Sequence, residues 1–316
     1  MLHFASYYLN VHVRFPYFCQ CVQDPYASQS NVNVSGNTTF VNNSAVKGGG
    51  VRASSNSNVN ISGNATFLTN SAQQYGGGIF AWSNVNISIC GHIAFIGNSA
   101  GKDGGGCSVS NSNVSFRGFT IFTSNLATNG SGGGLYVSSS ESVDFRGNTI
   151  FSGNAAGNGS GGGVHTESNS RTQFTGNTTF TTNLGANAGG ITVGRSCSVS
   201  FSGNTMFSHN SASSTGGGVY VMSSSSQLNF SKNTTFIHNF ASAKGGGVCV
   251  KYGDVTIRGN TTFSNNSAGA GGGGICVDNG GEVDISGKTS LSYNSFWKER
   301  FILHNLTNLT ASRRVV

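Results

Sequence analysis

The chain has 316 residues and a formal net charge of +7, yet only 9% of its residues are charged and 48 are glycine. Such a polar composition is typical of disordered chains, but 22 phenylalanines at a regular spacing indicate a repeated, buried core instead. The basic residues are dispersed and do not alternate with aromatic ones, so we expect no nucleic-acid partner. No apolar run is long enough to cross a bilayer as a helix, and we therefore predict no transmembrane helix.

Residues 1–29 precede the repeats and contain both prolines of the chain, Pro16 and Pro25. Proline cannot donate a backbone hydrogen bond, so it is excluded from strands that are paired on both edges. The absence of proline after residue 25 is therefore expected for a chain of fully paired strands. We predict that residues 1–29 form an N-terminal cap or a partial rung that covers the first exposed edge.

One unit recurs along residues 30–295 with a period of 27 to 29 residues. It consists of an alternating apolar pair, a bend with glycine, a phenylalanine strand, an asparagine three residues after the phenylalanine, and a glycine triplet before an apolar residue. We expect the bend glycine to supply a positive φ, which glycine adopts readily. The phenylalanine position, which ends with Leu291, is occupied by Phe40, Phe67, Phe95, Phe122, Phe151, Phe180, Phe207, Phe236 and Phe263. The asparagine position is occupied by Asn43, Asn70, Asn98, Asn125, Asn154, Asn183, Asn210, Asn239, Asn266 and Asn294.

A fixed period of this length is typical of a solenoid, in which each unit contacts only its neighbours. The chain is poor in leucine, unlike a leucine-rich repeat, and a propeller blade needs a longer period of about 40 residues. We predict a right-handed parallel β-helix of about ten rungs with three short strands per rung, a rung being one full turn of the solenoid. The phenylalanines of successive rungs would stack in the interior, and the buried asparagines would bond to one another along the stack. We call each of these two rows of equivalent residues a ladder.

The repeat pattern ends after Asn294, where no further glycine triplet follows. We predict that residues 296–316 form a C-terminal cap or a truncated rung. An amphipathic pattern at 296–306 favours a short helix there.

Two of the seven cysteines, Cys249 and Cys276, occupy the same repeat position in adjacent units. A disulfide between them stays open, because in-register parallel strands aim both Cβ atoms in the same direction and strain the bridge. The cysteines show neither a C-x-x-C motif nor a paired spacing with histidine, so we predict no metal site and no cofactor.

Three carboxylates are the candidates for catalytic chemistry. Asp254 and Glu282 share one repeat position, and Asp284 follows two residues later. Carboxylates within reach of one another can serve acid–base catalysis or bind a hard cation. The alternative is that they are surface charges near the end of the solenoid, where charge deters the addition of a further strand. His209 and His238 also share a position, which we interpret as a stacked pair in solvent.

The motif pairs F-S-H-N with G-G-G-V and F-T-T-N with A-G-G-I resemble the repeats of the chlamydial polymorphic outer membrane proteins. Similar repeats also occur in eukaryotic extracellular proteins. The resemblance covers residues 31 to about 294 and implies a right-handed parallel β-helix, exposed at the surface as an autotransporter passenger and associated with adhesion. The family pattern has Gly-Gly-Ala, whereas the third residue here is almost always glycine.

From these features we expect a non-enzymatic extracellular or cell-surface protein, adhesin-like or structural, that presents variable loops on a rigid rod. Its partner would be a cell-surface or matrix protein or a glycan, and the chain would be a monomer or part of a longer one. The alternative is a carbohydrate-active β-helix enzyme, a lyase or hydrolase, that uses Asp254, Glu282 and Asp284. Many N-x-S/T sequons, among them Asn60 and Asn177, would be glycosylated in a eukaryotic secretory route. The alternative, which we favour, is that a repeat so rich in Asn, Ser and Thr contains sequons by chance.

Overall fold

The computed structural model describes residues 10–14 and 26–296. All strand pairs in these residues are parallel, and no helix occurs among them, so none of the described segments is a helix that could cross a membrane. Ten-stranded sheets run the length of the structure, which confirms a parallel β-solenoid of about ten rungs.

Each rung contains four strands. The first carries the alternating apolar pair and occurs as β3 (Asn31–Ser35), β7 (Asn58–Ser62), β11 (Asn86–Ile89), β15 (Asn113–Phe116), β19 (Val143–Phe145), β23 (Arg171–Phe174), β27 (Ser198–Phe201) and β37 (Glu282–Ile285). The second carries the ladder phenylalanine and occurs as β4 (Thr38–Val41), β8 (Ala65–Leu68), β12 (Ile93–Ile96), β16 (Thr120–Thr123), β20 (Thr149–Ser152), β24 (Thr178–Thr181), β28 (Thr205–Ser208), β31 (Thr234–Ile237), β34 (Thr261–Ser264) and β38 (Thr289–Ser292).

The third strand has two residues and occurs as β5 (Ser44–Ala45), β9 (Ser71–Ala72), β13 (Ser99–Ala100), β17 (Leu126–Ala127), β21 (Ala155–Ala156), β25 (Leu184–Gly185), β29 (Ser211–Ala212), β32 (Phe240–Ala241), β35 (Ser267–Ala268) and β39 (Ser295–Phe296). The fourth follows the glycine triplet and occurs as β6 (Val51–Ser54), β10 (Ile79–Trp82), β14 (Cys107–Ser110), β18 (Leu135–Ser138), β22 (Val164–Glu167), β26 (Ile191–Val193) and β36 (Ile275–Val277). Two long strands, β30 (Val219–Phe230) and β33 (Val248–Ile257), join a fourth strand to the first strand of the next rung.

The second and third strands build separate ten-stranded sheets, and the first and fourth strands belong to one nineteen-stranded sheet because β30 and β33 connect them. The prediction of three strands per rung was wrong, since the third strand was missed. Two residues are too few to show the alternation by which a strand is recognised in a sequence.

The predicted N-terminal segment contains two described strands, β1 (Asn10–Arg14) and β2 (Tyr26–Ser28), which pair with β3 and β6. The helix proposed for 296–306 lies outside the described residues except at its first position. The boundaries at residues 29 and 295 therefore stay a prediction.

The interior holds two phenylalanine columns. The ladder rings stack face to face, with centroids of Phe180 and Phe207 4.7 Å apart and an interplanar angle of 3°. A second column comes from the first strands, where Phe174 and Phe201 stack at 4.6 Å, and Phe201 meets Phe207 edge-on at 6.4 Å and 79°. Each ring buries on the order of 150–250 Å², so these columns form the continuous apolar core.

The Phe-x-x-Asn motif encodes the corner after the second strand. The residue before each ladder asparagine takes a positive φ, for example 53° at Thr182 and 55° at His209. This left-handed residue ends the extended strand and lies directly before the asparagine, whose side chain is buried in the corner. Asn183, at that place, is fully buried.

The ladder asparagines bond to one another along the stack. The backbone N–H and Nδ2 of Asn183 both donate to Oδ1 of Asn210, at 3.1 and 2.9 Å. Nδ2 also donates to the carbonyl oxygen of Phe151 at 2.9 Å, and Oδ1 of Asn183 accepts two bonds of 2.9 Å from Asn154. Such full satisfaction is what allows these amides to be buried at small cost.

The bends require glycine for a different reason from the one that the sequence suggested. We expected them to supply a positive φ, but only Gly36 and Gly63 of this set have one. At Gly118 a Cβ would lie 2.2 Å from the carbonyl oxygen of Gly91 in the preceding rung. Close contact between stacked backbones therefore requires glycine at most of these bends.

Candidate functional site

The three candidate carboxylates come from the last two described rungs. Asp254 and Glu282 are direct partners in the register of β33 and β37, and Asp284 is paired with Thr256. Asp254 is exposed, while Glu282 and Asp284 are half-buried. The ammonium of Lys251, a basic residue that could have supported such a site, lies 5.6 Å from the ring centroid of Tyr252. The register places Asp254 beside Glu282, as their shared repeat position indicated. A catalytic role of the three carboxylates stays an untested alternative.

The predicted histidine pair is present. The rings of His209 and His238 are stacked with centroids 4.9 Å apart, and both side chains are exposed. They project outward because both residues adopt the positive φ of the corner before the ladder asparagine. Thr182 and Asn265 hold the same corner position in the flanking rungs, so the neighbours add no strong metal ligand.

A column of side chains lies outside the core, and of its members the sequence analysis singled out only Cys249 and Cys276. We call it the outer column; its members are the second residue after each glycine triplet, and they pair in register along the fourth strands. The members are Arg52, Phe80, Ser108, Tyr136, His165, Thr192, Tyr220, Cys249 and Cys276. Most of them are buried although they point away from the interior.

The variable loops cover this column. We call them the loop ridge: residues 46–47, 73–75, 101–103, 128–131, 157–160, 186–187, 213–215, 242–244 and 269–271. The first glycine of each triplet turns the loop back with a positive φ, 66° at Gly245, where a Cβ would lie 2.6 Å from Cβ of Cys249. The loop ridge is therefore packed against the fourth strands.

Hydrogen bonds also connect the loops from rung to rung. The N–H of Ser131 donates to Oδ1 of Asp103 at 2.8 Å, and Nδ2 of Asn187 donates to Oγ of Ser160 at 3.3 Å. The hydroxyl of Thr215 donates to Oδ1 of Asn187 at 2.9 Å. The loop ridge thus holds a varied set of side chains at fixed positions.

Near the N-terminal end, the loop ridge and the outer column form an aromatic cluster flanked by cations. The rings of Tyr75 and Phe80 stack with centroids 5.8 Å apart. The ammonium of Lys47 lies 5.5 Å from the Tyr75 centroid and 5.6 Å from that of Phe80, and Lys102 lies 5.5 Å from Tyr75. Tyr75 is half-buried and Lys102 is exposed, so solvent reaches this cluster.

The middle of the column contains a small electrostatic cluster. His165 stacks on Tyr136 at 5.5 Å, and its Nε2 lies 3.5 Å from Oε2 of Glu167, whose Oε1 is 3.8 Å from Arg195. The hydrogen bond from His165 lowers the pKa of Glu167, and burial raises the pKa of Tyr136 to about 12. Nδ1 of His165 is buried without a hydrogen-bond partner.

Glu167→Gln should reveal a pH-dependent contribution to stability. Because the pKa of Glu167 is lowered in the folded state, its stabilising effect is present above the ordinary glutamate pKa near 4.5 and is lost as the pH falls through the folded-state pKa. We expect the melting temperature of the native chain to exceed that of the variant at pH 7, and the difference to shrink in acid. Thermal unfolding followed at several pH values measures it; a difference that does not depend on pH would contradict the assignment.

The eighth and ninth rungs place two thiols beside a carboxylate. One ligand atom from each of Cys249, Cys276 and Asp278 lies within 4.8 Å of the others, and both cysteines are free thiols. Nζ of Lys244 lies 3.0 Å from Oδ2 of Asp278. A hydrogen bond from Cys249 lowers the pKa of the Cys276 thiol. The sequence showed the shared cysteine position, but Lys244 and Asp278 are 34 residues apart and no local pattern links them.

Comparison with known proteins found a similarity near the C-terminal end of the described solenoid. The family model described as the Chlamydia polymorphic membrane protein (Chlamydia_PMP) repeat matches residues 260–278. Residues 260–278 are therefore similar to this repeat. The matched stretch runs from the bend before β34 to the end of the glycine-triplet strand β36, so it includes Phe263, Asn266 and the triplet at 272–274. No match to the chain was found among curated proteins or among solved structures.

Proposed function

We propose that this chain is a non-enzymatic surface protein, adhesin-like or structural, whose loop ridge contacts a cell-surface or matrix protein or a glycan. The observation that carries the proposal is the loop ridge itself. Its side chains differ from rung to rung, yet hydrogen bonds such as those at Asp103 and Asn187 hold them in register. Binding residues are commonly carried on loops that a rigid scaffold positions.

Each rung separates buried ladder residues from the residues of the loop ridge, and this separation supports the assignment. The phenylalanines and asparagines of the ladders are buried and are satisfied by contacts within the solenoid. They are consequently not available to a partner. The loop ridge differs in residue identity and in length from rung to rung, so it is the part of the solenoid that could distinguish one partner from another.

The aromatic cluster is the contact region that we favour within the loop ridge. Tyr75 offers an accessible ring, and the ammonium groups of Lys47 and Lys102 offer hydrogen-bond donors beside it. Aromatic residues contribute a large share of binding energy where they can be desolvated. Rigid positioning lowers the entropic cost of association.

The polymorphic membrane protein repeat supports an outer-membrane or other surface location. Within our proposal the solenoid is the exposed part of such a protein, as in an autotransporter passenger. The parallel ladders would hold the loop ridge rigid along its length.

The proposal is tested by binding of the purified chain to an array of glycans and matrix proteins. We expect a ligand whose affinity falls at least tenfold in Tyr75→Ala and Lys102→Ala. Tyr252→Ala is the matched control, because this tyrosine also has a lysine over its ring but lies on β33, outside the loop ridge. Polysaccharide cleavage without stable binding, or equal loss in the control, would overturn the proposal.

A further inference from the structure

We propose that Cys249, Cys276 and Asp278 bind one thiophilic divalent cation of the zinc class. The three ligands come from two adjacent rungs, since Cys249 lies on β33 while Cys276 lies on β36 and Asp278 follows it directly. The site is separate from the ladders and from the aromatic cluster, and the inference does not depend on the proposed function.

The distances suit a tetrahedral ion. One sulfur or oxygen atom from each residue lies within 4.8 Å of the other two. With zinc–sulfur bonds of about 2.3 Å and zinc–oxygen bonds of about 2.1 Å, tetrahedral ligands lie roughly 3.5–3.8 Å apart. Side-chain rotations that shorten the separations by about an ångström therefore close the coordination sphere.

Ligand type selects the metal. Two thiolates exclude calcium and magnesium, which bind oxygen ligands, and favour zinc or a similar thiophilic ion. The carboxylate supplies the third ligand. Three protein ligands leave a fourth position, and Cys276 and Asp278 are only partly buried, so water can reach it.

Charge and backbone geometry support the same assignment. A divalent ion together with the Lys244 ammonium balances the charges of two thiolates and one carboxylate. Lys244 holds Asp278 through contacts of 3.0 and 3.3 Å, as an outer partner does for a metal-binding carboxylate. The backbone N–H of Asp278 donates to the carbonyl oxygen of Val250 at 2.8 Å, which fixes the ligand-bearing segment against the preceding rung.

The in-register strands also explain why a metal suits this pair better than a disulfide. Cys249 and Cys276 are direct partners between β33 and β36, so their Cβ atoms point in the same direction. That arrangement strains a disulfide, whereas two parallel thiolates can converge on an ion placed outside the strands. A bound ion would join the eighth rung to the ninth, near the C-terminal end of the described solenoid.

The test uses the full chain, purified in the presence of a phosphine reductant that keeps thiols reduced. Zn²⁺ is added, unbound metal is removed by dialysis, and the retained zinc is measured by mass spectrometry. Co²⁺ serves as a second probe, because thiolate-to-cobalt charge-transfer absorption identifies sulfur ligands. We expect one equivalent of zinc, the charge-transfer band, and a higher melting temperature with metal.

The variants locate the site. Replacing either cysteine, in Cys276→Ser or Cys249→Ser, should lower zinc affinity at least tenfold and abolish or weaken the cobalt band. Asp278→Asn should also lower zinc affinity. This variant should fold normally, because Asp278 is partly exposed. Cys90→Ser is the matched control, being an exposed free cysteine elsewhere in the solenoid. The double variant Cys19→Ser/Cys21→Ser controls for binding at the two cysteines that are separated by a single residue in the sequence.

The outcomes separate the alternatives. Zinc retained in both controls and lost in Cys276→Ser and Asp278→Asn supports the site. Zinc lost only in the Cys19→Ser/Cys21→Ser variant, or no zinc retained at all, overturns it. A chain that is lighter by two hydrogen atoms in the absence of reductant and binds no zinc when reduced would also overturn it, because the pair would then serve as a disulfide.

Discussion

Replacing Asn183 with leucine is expected to lower the free energy of unfolding by at least about 3 kcal/mol. The substitution removes four side-chain hydrogen bonds, two from Asn154, one to Phe151 and one to Asn210, in a site from which water is excluded. The donors of Asn154 and the carbonyl oxygen of Phe151 stay buried without these partners. Each orphaned buried group costs about 1–3 kcal/mol.

Asn158→Leu is the matched control for this substitution. Asn158 is an exposed residue of the loop ridge, and its Nδ2 donates a long hydrogen bond of 3.4 Å to Oδ1 of Asn129. The same chemical change should therefore alter stability by no more than about 0.5 kcal/mol. Denaturant unfolding followed by circular dichroism compares the two variants, and equal midpoints would contradict the role that we assign to the ladder.

Gly162→Ala is expected to destabilise the chain by at least about 3 kcal/mol or to prevent folding. Overpacking typically costs about 1–3 kcal/mol, and the cost here is at or above the upper end because the contacted atoms belong to the backbone. A Cβ at this middle position of the triplet would lie 2.3 Å from the carbonyl oxygen of Leu184 and 2.7 Å from that of Gly189. Both are backbone atoms of the next rung. The stacked rungs would have to separate locally to admit one methyl group.

Gly271→Ala provides the comparison within the same family of loops. Gly271 immediately precedes a triplet, has no positive φ, and a Cβ there would meet no atom within 4 Å. Alanine should be neutral or stabilising by about 0.4–1 kcal/mol, because it restricts the unfolded chain. Thermal melts of the two variants measure the difference. A Gly162→Ala chain as stable as Gly271→Ala would show that the triplet does not set the distance between rungs.

Much of the fold could be predicted from the sequence because stacking repeats the same physical requirement in every rung. The position of Phe180 relative to Asn183 alone indicates a buried ring followed by a corner, and the period places both in columns. The third strand could not be predicted in this way, since residues such as Ser211–Ala212 carry no alternation. The second phenylalanine column was visible only as apolar alternation, and its edge-on packing depends on how the sheets face each other.

The candidate site was harder to predict for a different reason. Its residues meet across rungs: Lys47, Tyr75 and Lys102 come from three successive loops, and Lys244 meets Asp278 across 34 residues. A sequence shows that the loops vary, but it does not show that they fold back over the outer column. That information comes from the left-handed glycine at the start of the triplet and the contact it makes with the strand that follows.

Side-chain amide exchange measured by NMR tests the ladder account most directly. In a sample labelled with ¹⁵N at asparagine, we expect a group of carboxamide signals that exchange slowly with deuterium, because ladder amides such as Asn183 and Asn210 are buried and bonded on both sides. Exposed amides such as Asn158 should exchange within the dead time, and the Asn183→Leu variant should remove one protected signal and perturb its neighbours. Rapid exchange of all asparagine side chains in the folded chain would contradict the account.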